Sequence, residues 1–477
     1  MRTHRWTFFA VISIGLLMIG LDNSILYTAL PTLATELDAS DTEQLWIINA
    51  YALVLAGLLL GTGTLGDKVG HRRMFLVGLA IFGLSSLAAA FAPSAWLLVA
   101  ARAFLGLGAA VMMPATLALI RHTFPDEVER NTAIGIWGSV AVTGAAAGPT
   151  VGGFLLEHFW WGSIFLINVP IVAVAFLLTL WLAPPNQPNP DKHWDLPSAL
   201  YALVTLTALV MVIKSTASAH YGTAAITLGV TVVGAVVFAL RQRKLDDPLL
   251  AFEIFRSRIF SGGVLAAGGA MFGLASLEMS TTQKLQLVDQ FTPLEAGLVI
   301  SAMAIAALPT SVLGGAVLHK VGFLPLISGG FLLMTVSAAT VWWAGGRDSF
   351  TVFVVAMILG GLGAGLVMSV SSTAIIGGAP LHRTGMAAGV EEVSYEFGTL
   401  LAIAITGSLV PFFMARHTDL STDALHQPDL HSLAAPAYNS GYLTTIGLMA
   451  LVLLTITVIT VWCFRDNPKS GSHAVVH

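Results

Sequence analysis

The chain alternates long apolar runs with short polar breaks from end to end. A helix needs about 20 mostly apolar residues to cross the hydrocarbon core of a bilayer. Stretches that meet this are 7–30, 45–65, 74–92, 96–119, 132–156, 163–183 and 197–214. They are followed by 221–240, 259–281, 294–317, 323–343, 351–376, 386–412 and 441–464. The pattern predicts an all-α polytopic membrane protein with fourteen transmembrane helices.

Composition removes the soluble alternative. Of 477 residues 56% are hydrophobic and only 10% charged, with a mean hydropathy of +0.82. So few charges cannot cover folded soluble domains. The net charge of -4 says less than where the charges sit. With the N-terminus placed in the cytoplasm, seventeen of the 22 Lys and Arg fall on that side; only Lys214, Lys284, Arg347 and Arg416 fall opposite, and Arg102 lies inside a helix. This is the positive-inside pattern, which one missed or added span would destroy. It places both termini inside a bacterial cytoplasmic (inner) membrane. The first run contains Asp22 and continues into Ala29-Leu30-Pro31, which reads as a retained span rather than a signal peptide. One cysteine, Cys463, precludes an intramolecular disulfide, and no basic tract or zinc-finger spacing points to nucleic acid. No metal site or cofactor is expected; His417, His426 and His431 fall in an outer segment, 413–440, that reads as a solvated loop.

Charges and glycines within the spans carry the chemistry. Asp22, a carboxylate inside an apolar run, needs an aqueous cavity or a partner, and can bind a proton or a cation there. Arg102 in the fourth span must meet carbonyls, a carboxylate or water, while Gly106 and Gly108 let another backbone approach. In the fifth span Gly144, Gly148 and Gly152 lie four apart, beside Pro149 and Gly153, and form a smooth packing face with a potential bend. Gly63 to Arg73, with Asp67, Gly70, Arg72 and Arg73, predicts a tight cytoplasmic turn with latching charges. Glu278 lies near the outer end of the ninth span, with Thr282 and Gln286 following at four-residue intervals, and reads either as a cavity residue or as a rim carboxylate. The thirteenth span carries Glu391, Glu392 and Glu396; Glu396 lies about 15 Å inside the helix start and shares a face with Glu392, an arrangement that favours a shared proton.

Together these residues resemble the major facilitator superfamily, specifically the fourteen-span drug:proton antiporters of the quaternary-ammonium exporter type. Leu21-Asp22 with Ala29-Leu30-Pro31 is similar to their first-helix motif, and Gly63 to Arg73 to the loop signature after the second helix. Arg102, Gly106 and Gly108 resemble the proton-coupling motif; Gly144, Gly148, Pro149, Gly152 and Gly153 resemble the antiporter motif. Three departures stand out. The family often carries fewer acids near the start of the thirteenth helix than Glu391, Glu392 and Glu396 here, which bears on the coupling site and not on the fold. His71 occupies a position usually held by arginine, and the second-half loop, Gly314 to Gly322, lacks the aspartate. The resemblance implies a six-helix bundle over 1–183, two additional helices over 197–240, a second six-helix bundle over 259–464 and a cytoplasmic tail, 465–477. It implies proton-coupled export of small lipophilic cations by a monomer surrounded by membrane lipids, with Asp22, Glu278, Glu392, Glu396 and Arg102 handling charge. Competing readings are export of a specific, possibly anionic, metabolite or siderophore, and a non-transporting sensor or scaffold. No Walker lysine motif and no hydrolase or metalloprotease motif supports an ATPase or an enzyme.

Overall fold

The computed structural model describes residues 2–190, 194–217, 219–245, 248–250, 252–344, 350–379 and 384–465. The fold is all-α, because a segment in hydrocarbon must satisfy its backbone internally. The first half comprises α1 (Arg2–Glu36), α2 (Asp41–Val69), α3 (His71–Ala90), α4 (Ala95–Thr123), α5 (Glu127–His158), α6 (Ser163–Leu166) and α7 (Asn168–Leu182). Then come α8 (Leu196–Ala217), α9 (Tyr221–Gln242), α10 (Arg258–Leu287), α11 (Pro293–Val321), α12 (Phe323–Ala344), α13 (Phe350–Gly377), α14 (Thr384–Met414) and α15 (Pro428–Phe464). Among the described residues thirteen helical segments are long and apolar enough to cross a membrane. The helix α5 is not among them, and many of its side chains lie outside the described set.

Helix starts follow local chemistry. Ser40 and Glu43 form a capping box before α2, and Thr292 and Glu295 exchange the same pair of bonds before α11. Ser94, Asp126 and Ser257 each accept an amide of the first turn of α4, α5 and α10. Within the spans, hydroxyls such as those of Thr123, Thr179 and Thr406 donate to the carbonyl four residues back, so few polar groups face lipid unpaired.

The chain divides into two compact units. In the first (Met1–Leu209, Gly229–Arg241 and Phe291–Gly297) α1 lies along α5, and α4 lies along both α2 and α3. Here α8 packs Ala199 and Leu203 against Gly61 and Gly57 of α2. Just before α8, Asp195 is gripped by Arg241 at the end of α9, with Nη2 2.7 Å from Oδ1. Partial burial pushes the Asp195 carboxyl up, but hydrogen bonds from Arg241 and Ser198 outweigh it and hold the group below its usual range. In the second unit (Val210–Leu228, Gln242–Gln290 and Leu298–His477) α10 lies along α14, and α12 along α13 and α15. Ile226, Val232 and Val233 on α9 are exposed apolar side chains.

Two sequence expectations are corrected. The turn predicted over Gly63–Arg73 is largely helix: α2 runs to Val69, α3 begins at His71, and Gly70 alone makes the break at φ +100°. The outer segment 413–440 is not simply a solvated loop, because α15 begins at Pro428 and buries Ala434 and Tyr438. There the His431 ring Nε2 lies 2.9 Å from the Leu287 carbonyl oxygen, and the described residues contain no cluster of potential metal ligands.

Candidate functional site

The charged residues of the first half meet in one buried network. Arg102, 0% exposed, enters from α4 and meets a carboxylate and a carbonyl. Its Nη1 donates to Asp22 Oδ2 at 2.5 Å, and its Nε donates to the Ile47 carbonyl of α2 at 3.2 Å. The guanidinium carbon lies 4.5 Å from the centre of the buried Tyr51 ring, a cation–π contact. The other Asp22 oxygen, Oδ1, accepts from Asn168 Nδ2 of α7 at 3.0 Å, and the same amide nitrogen lies 3.3 Å from Ser86 Oγ of α3. Five helices thus supply one ion pair shielded from solvent. Bonds to the Ile47 carbonyl and from Asn168 support the pair, while Arg102 Nη2 is buried with no hydrogen-bond partner among the described residues.

Glycines make this convergence possible. A Cβ added at Gly106 would stand 2.4 Å from the Tyr51 carbonyl oxygen, and one at Gly108 would stand 2.8 Å from the Phe82 amide nitrogen. On α5, Gly144 faces the backbone of Leu17 and Leu21, Gly148 faces Ser24, and Gly152 faces Ile25, flanking Asp22 along α1. Pro149 is buried, and its carbonyl oxygen faces Gly297 of α11. Gly153 and Leu294 belong to the same unit, and a Cβ on the glycine would fall 2.4 Å from the Leu294 Cα.

At the α2–α3 junction the partners come from the far end of α7. Arg72 Nη2 donates to the Leu180 carbonyl at 2.8 Å. Asn186 donates to the Val69 carbonyl and accepts the Arg73 amide, closing over Gly70. Gly63 lies within α2 with Pro114 3.8 Å from the place of its Cβ; the Asp67 side chain lies outside the described residues. The His71 ring sits against Gly66 and 6.3 Å from that of His122.

The second unit carries the other acids. Tyr395 on α14 donates to Glu391 Oε1 at 2.9 Å, and Ser372 of α13 bonds the same carboxyl. Glu392 stands within the field of both Glu391 and Glu396, and Glu396 Oε2 is buried with no hydrogen-bond partner among the described residues. Glu278 is partly buried on α10, where its carbonyl accepts the Thr282 hydroxyl. Sequence reading missed Asn168, Ser86 and Tyr51; being uncharged, they carry no signal until packing sets them beside Asp22 and Arg102.

An all-α bundle with an ion pair buried among helices long and apolar enough to cross a membrane defines a polytopic membrane protein. The Major Facilitator Superfamily profile matches residues 12–403, and the chain belongs to that family. It is 36% identical over 419 residues to the methyl viologen resistance protein SmvA of Salmonella typhimurium, covering 85% of this chain and 83% of that one. It is also 36% identical over 426 residues to the multidrug efflux pump LfrA of Mycolicibacterium smegmatis, covering 88% and 83%. A bacterial homologue of the human lysosomal transporter Spinster, in an inward-facing and unoccupied conformation, shares the fold at TM-score 0.69 and 16% identity, over 98% of each chain.

Proposed function

We propose that the protein is a proton-coupled antiporter that exports lipophilic cations from the cytoplasm or inner leaflet. The observation that carries this reading is the solvent-shielded Asp22–Arg102–Asn168 network, a carboxylate whose charge is balanced by one guanidinium at the meeting point of five helices. The names of SmvA and LfrA support export of drugs, and methyl viologen is itself a cation. Both termini face the cytoplasm in this reading, so Asp22, Ser86, Arg102 and Asn168 lie in the outer half of the membrane, where incoming protons arrive.

Aromatic and apolar surfaces hold the body of the substrate, and Glu278, Glu392 or Glu396 answers its charge. A proton from outside neutralises a carboxylate, the cation leaves, and the protonated carrier returns. Each proton that enters in excess of the charge carried out by the cation supplies about 2.3 kcal/mol across 100 mV, and an exchange of equal charges is driven by the pH gradient alone. Glycines 144, 148 and 152 and Pro149 on α5, with the junction at Gly70, Arg72 and Arg73, keep the moving helices in register.

The test is counterflow in proteoliposomes, with ethidium efflux and lumenal pH recorded together. Opposite dye and proton fluxes, weakened in Asp22→Asn or Glu396→Gln at matched incorporation, support antiport. Dye and proton moving in the same direction overturns it, and failure to move any of several cationic dyes overturns the substrate class.

A further inference from the structure

Asn168 is fully buried at the first residue of α7, directly after the break at Ile167. Its Nδ2 donates to Asp22 Oδ1 and reaches Ser86 Oγ, yet its own Oδ1 is buried with no hydrogen-bond partner among the described residues. A buried amide oxygen left without a donor is costly and calls for a reason. The groups around Asp22 supply one. Arg102 already occupies Asp22 Oδ2, so an incoming proton has only Oδ1 to bind, the oxygen that Asn168 faces.

Resting on the antiport reading above, we infer that Asn168 is a positioning residue whose side-chain amide turns over when Asp22 gains its proton. With Asp22 ionised, Nδ2 donates to a carboxylate that can only accept. Once the Oδ1–H bond has formed, with the proton taken from external water, that N–H would face an O–H donor. Half a turn about the Cβ–Cγ bond puts the amide oxygen in its place, and the oxygen then accepts from the new carboxyl. No covalent bond of Asn168 changes. Ser86 suits both arrangements, because a hydroxyl accepts from the amide N–H in one and donates to the amide oxygen in the other. Meanwhile the guanidinium keeps the Ile47 carbonyl and the Tyr51 ring, which house its charge after Asp22 becomes neutral.

The surroundings of Asp22 leave this exchange to few groups. Arg102 is the charged partner from α4, and α2 contributes the Tyr51 phenol and the Ile47 carbonyl on the far side of that arginine. From α5 the facing positions are Gly144 and Gly148; its Glu157 and His158 lie beyond them at the helix end. On α3 the basic residues His71, Arg72 and Arg73 begin the helix, remote from Ser86; α6 and α7 contain no titratable residue. Asp41 and Glu43 belong to the first turn of α2, where Glu43 is bonded to Ser40.

The experiment measures the pH profile of ethidium export in proteoliposomes for the full chain, Asn168→Leu and Asn168→Asp. Leucine has the same branched outline and number of heavy side-chain atoms as asparagine, and neither donates nor accepts. Leucine removes a bond from both states, but the charge-assisted bond to the ionised carboxylate is about twice as strong as the neutral one, so the midpoint of the profile moves upward by about half to one pH unit. Aspartate keeps the shape and brings a second acid to share the proton, so its midpoint moves up further; it decides the question if the leucine variant does not fold. A purely structural Asn168 would lower the rate equally at every pH. Unmoved midpoints in folded variants overturn the inference. If Asp22→Asn itself leaves proton-coupled export intact, the coupling reading fails; if it abolishes coupling while both Asn168 variants keep the native midpoint, only the role of Asn168 fails.

Discussion

Arg102 Nη1 and Asp22 Oδ2 lie 2.5 Å apart, on side chains that are 0% and 1% exposed. In so dry a setting the value of the pair lies less in its attraction than in the penalty for separating it. Removing one partner strands the other charge, at a cost of about 3–5 kcal/mol, whereas replacing both by apolar groups can be neutral.

Asp22→Leu and Arg102→Met are therefore each expected to lower the unfolding temperature markedly. The double variant regains most of the loss, because no buried charge remains. Transport does not return with it. Thermal unfolding in detergent, followed by ethidium efflux from the same preparations, separates the two effects; a double variant as unstable as the sum of the singles would show that the two charges are not coupled.

Glycine substitutions split according to what lies opposite. At Gly106 a methyl group would press on the Tyr51 carbonyl, itself part of the α2–α4 contact beside Arg102. Gly106→Ala is expected to lose about 1–3 kcal/mol through overpacking. Gly229 on α9 has nothing within 4 Å of its added Cβ, so Gly229→Ala gains about 0.5–1 kcal/mol from helix propensity alone. Denaturation of the two variants side by side gives shifts of opposite sign.

Spans were legible because each is a long apolar run, and Asp22 and Arg102 because a charge within such a run is conspicuous. Asn168 and Ser86 were not, since a neutral polar residue in a helix usually bonds locally. Asn168 instead meets Asp22 across 146 positions of sequence, and only the packing of α1 on α7 makes that contact. The glycines near the second span were seen, but their roles were merged. Gly63 and Gly66 continue the helix and Gly70 alone turns the chain, a distinction set by backbone angle rather than residue type.

Asp195 and Arg241 fasten the ends of α8 and α9 outside the apolar stretches. Because the folded carboxyl is held below its usual value, its contribution to stability is present above the ordinary value of 3.8 and fades as pH falls through the lowered folded value. Asp195→Asn should thus unfold at a lower temperature than the parent at neutral pH, and the difference should close under strongly acidic conditions. A difference that persists unchanged below that range would assign the effect to packing rather than to charge.

On α14 neighbouring acids differ in how they are held. Tyr395 and Ser372 bond Glu391, whereas Glu396 leaves Oε2 without a partner among the described residues. A carboxyl fastened by donors resists exchange, so under the antiport proposal the coupled proton is expected on Glu396 rather than on Glu391. Glu396→Gln is accordingly expected to fold at least as well as the parent, since it removes a buried acid with an unmet oxygen. Yet it should forfeit one coupled charge, lowering the dye gradient sustained at 100 mV by roughly fifty-fold. Glu391→Gln should do the reverse, weakening the α13–α14 contact by about 1 kcal/mol while leaving coupling nearly intact. Steady-state accumulation ratios at a clamped membrane potential, read with the unfolding temperatures, distinguish the two. If Glu391→Gln collapses the gradient and Glu396→Gln does not, the coupled proton belongs to the tyrosine-bonded acid instead.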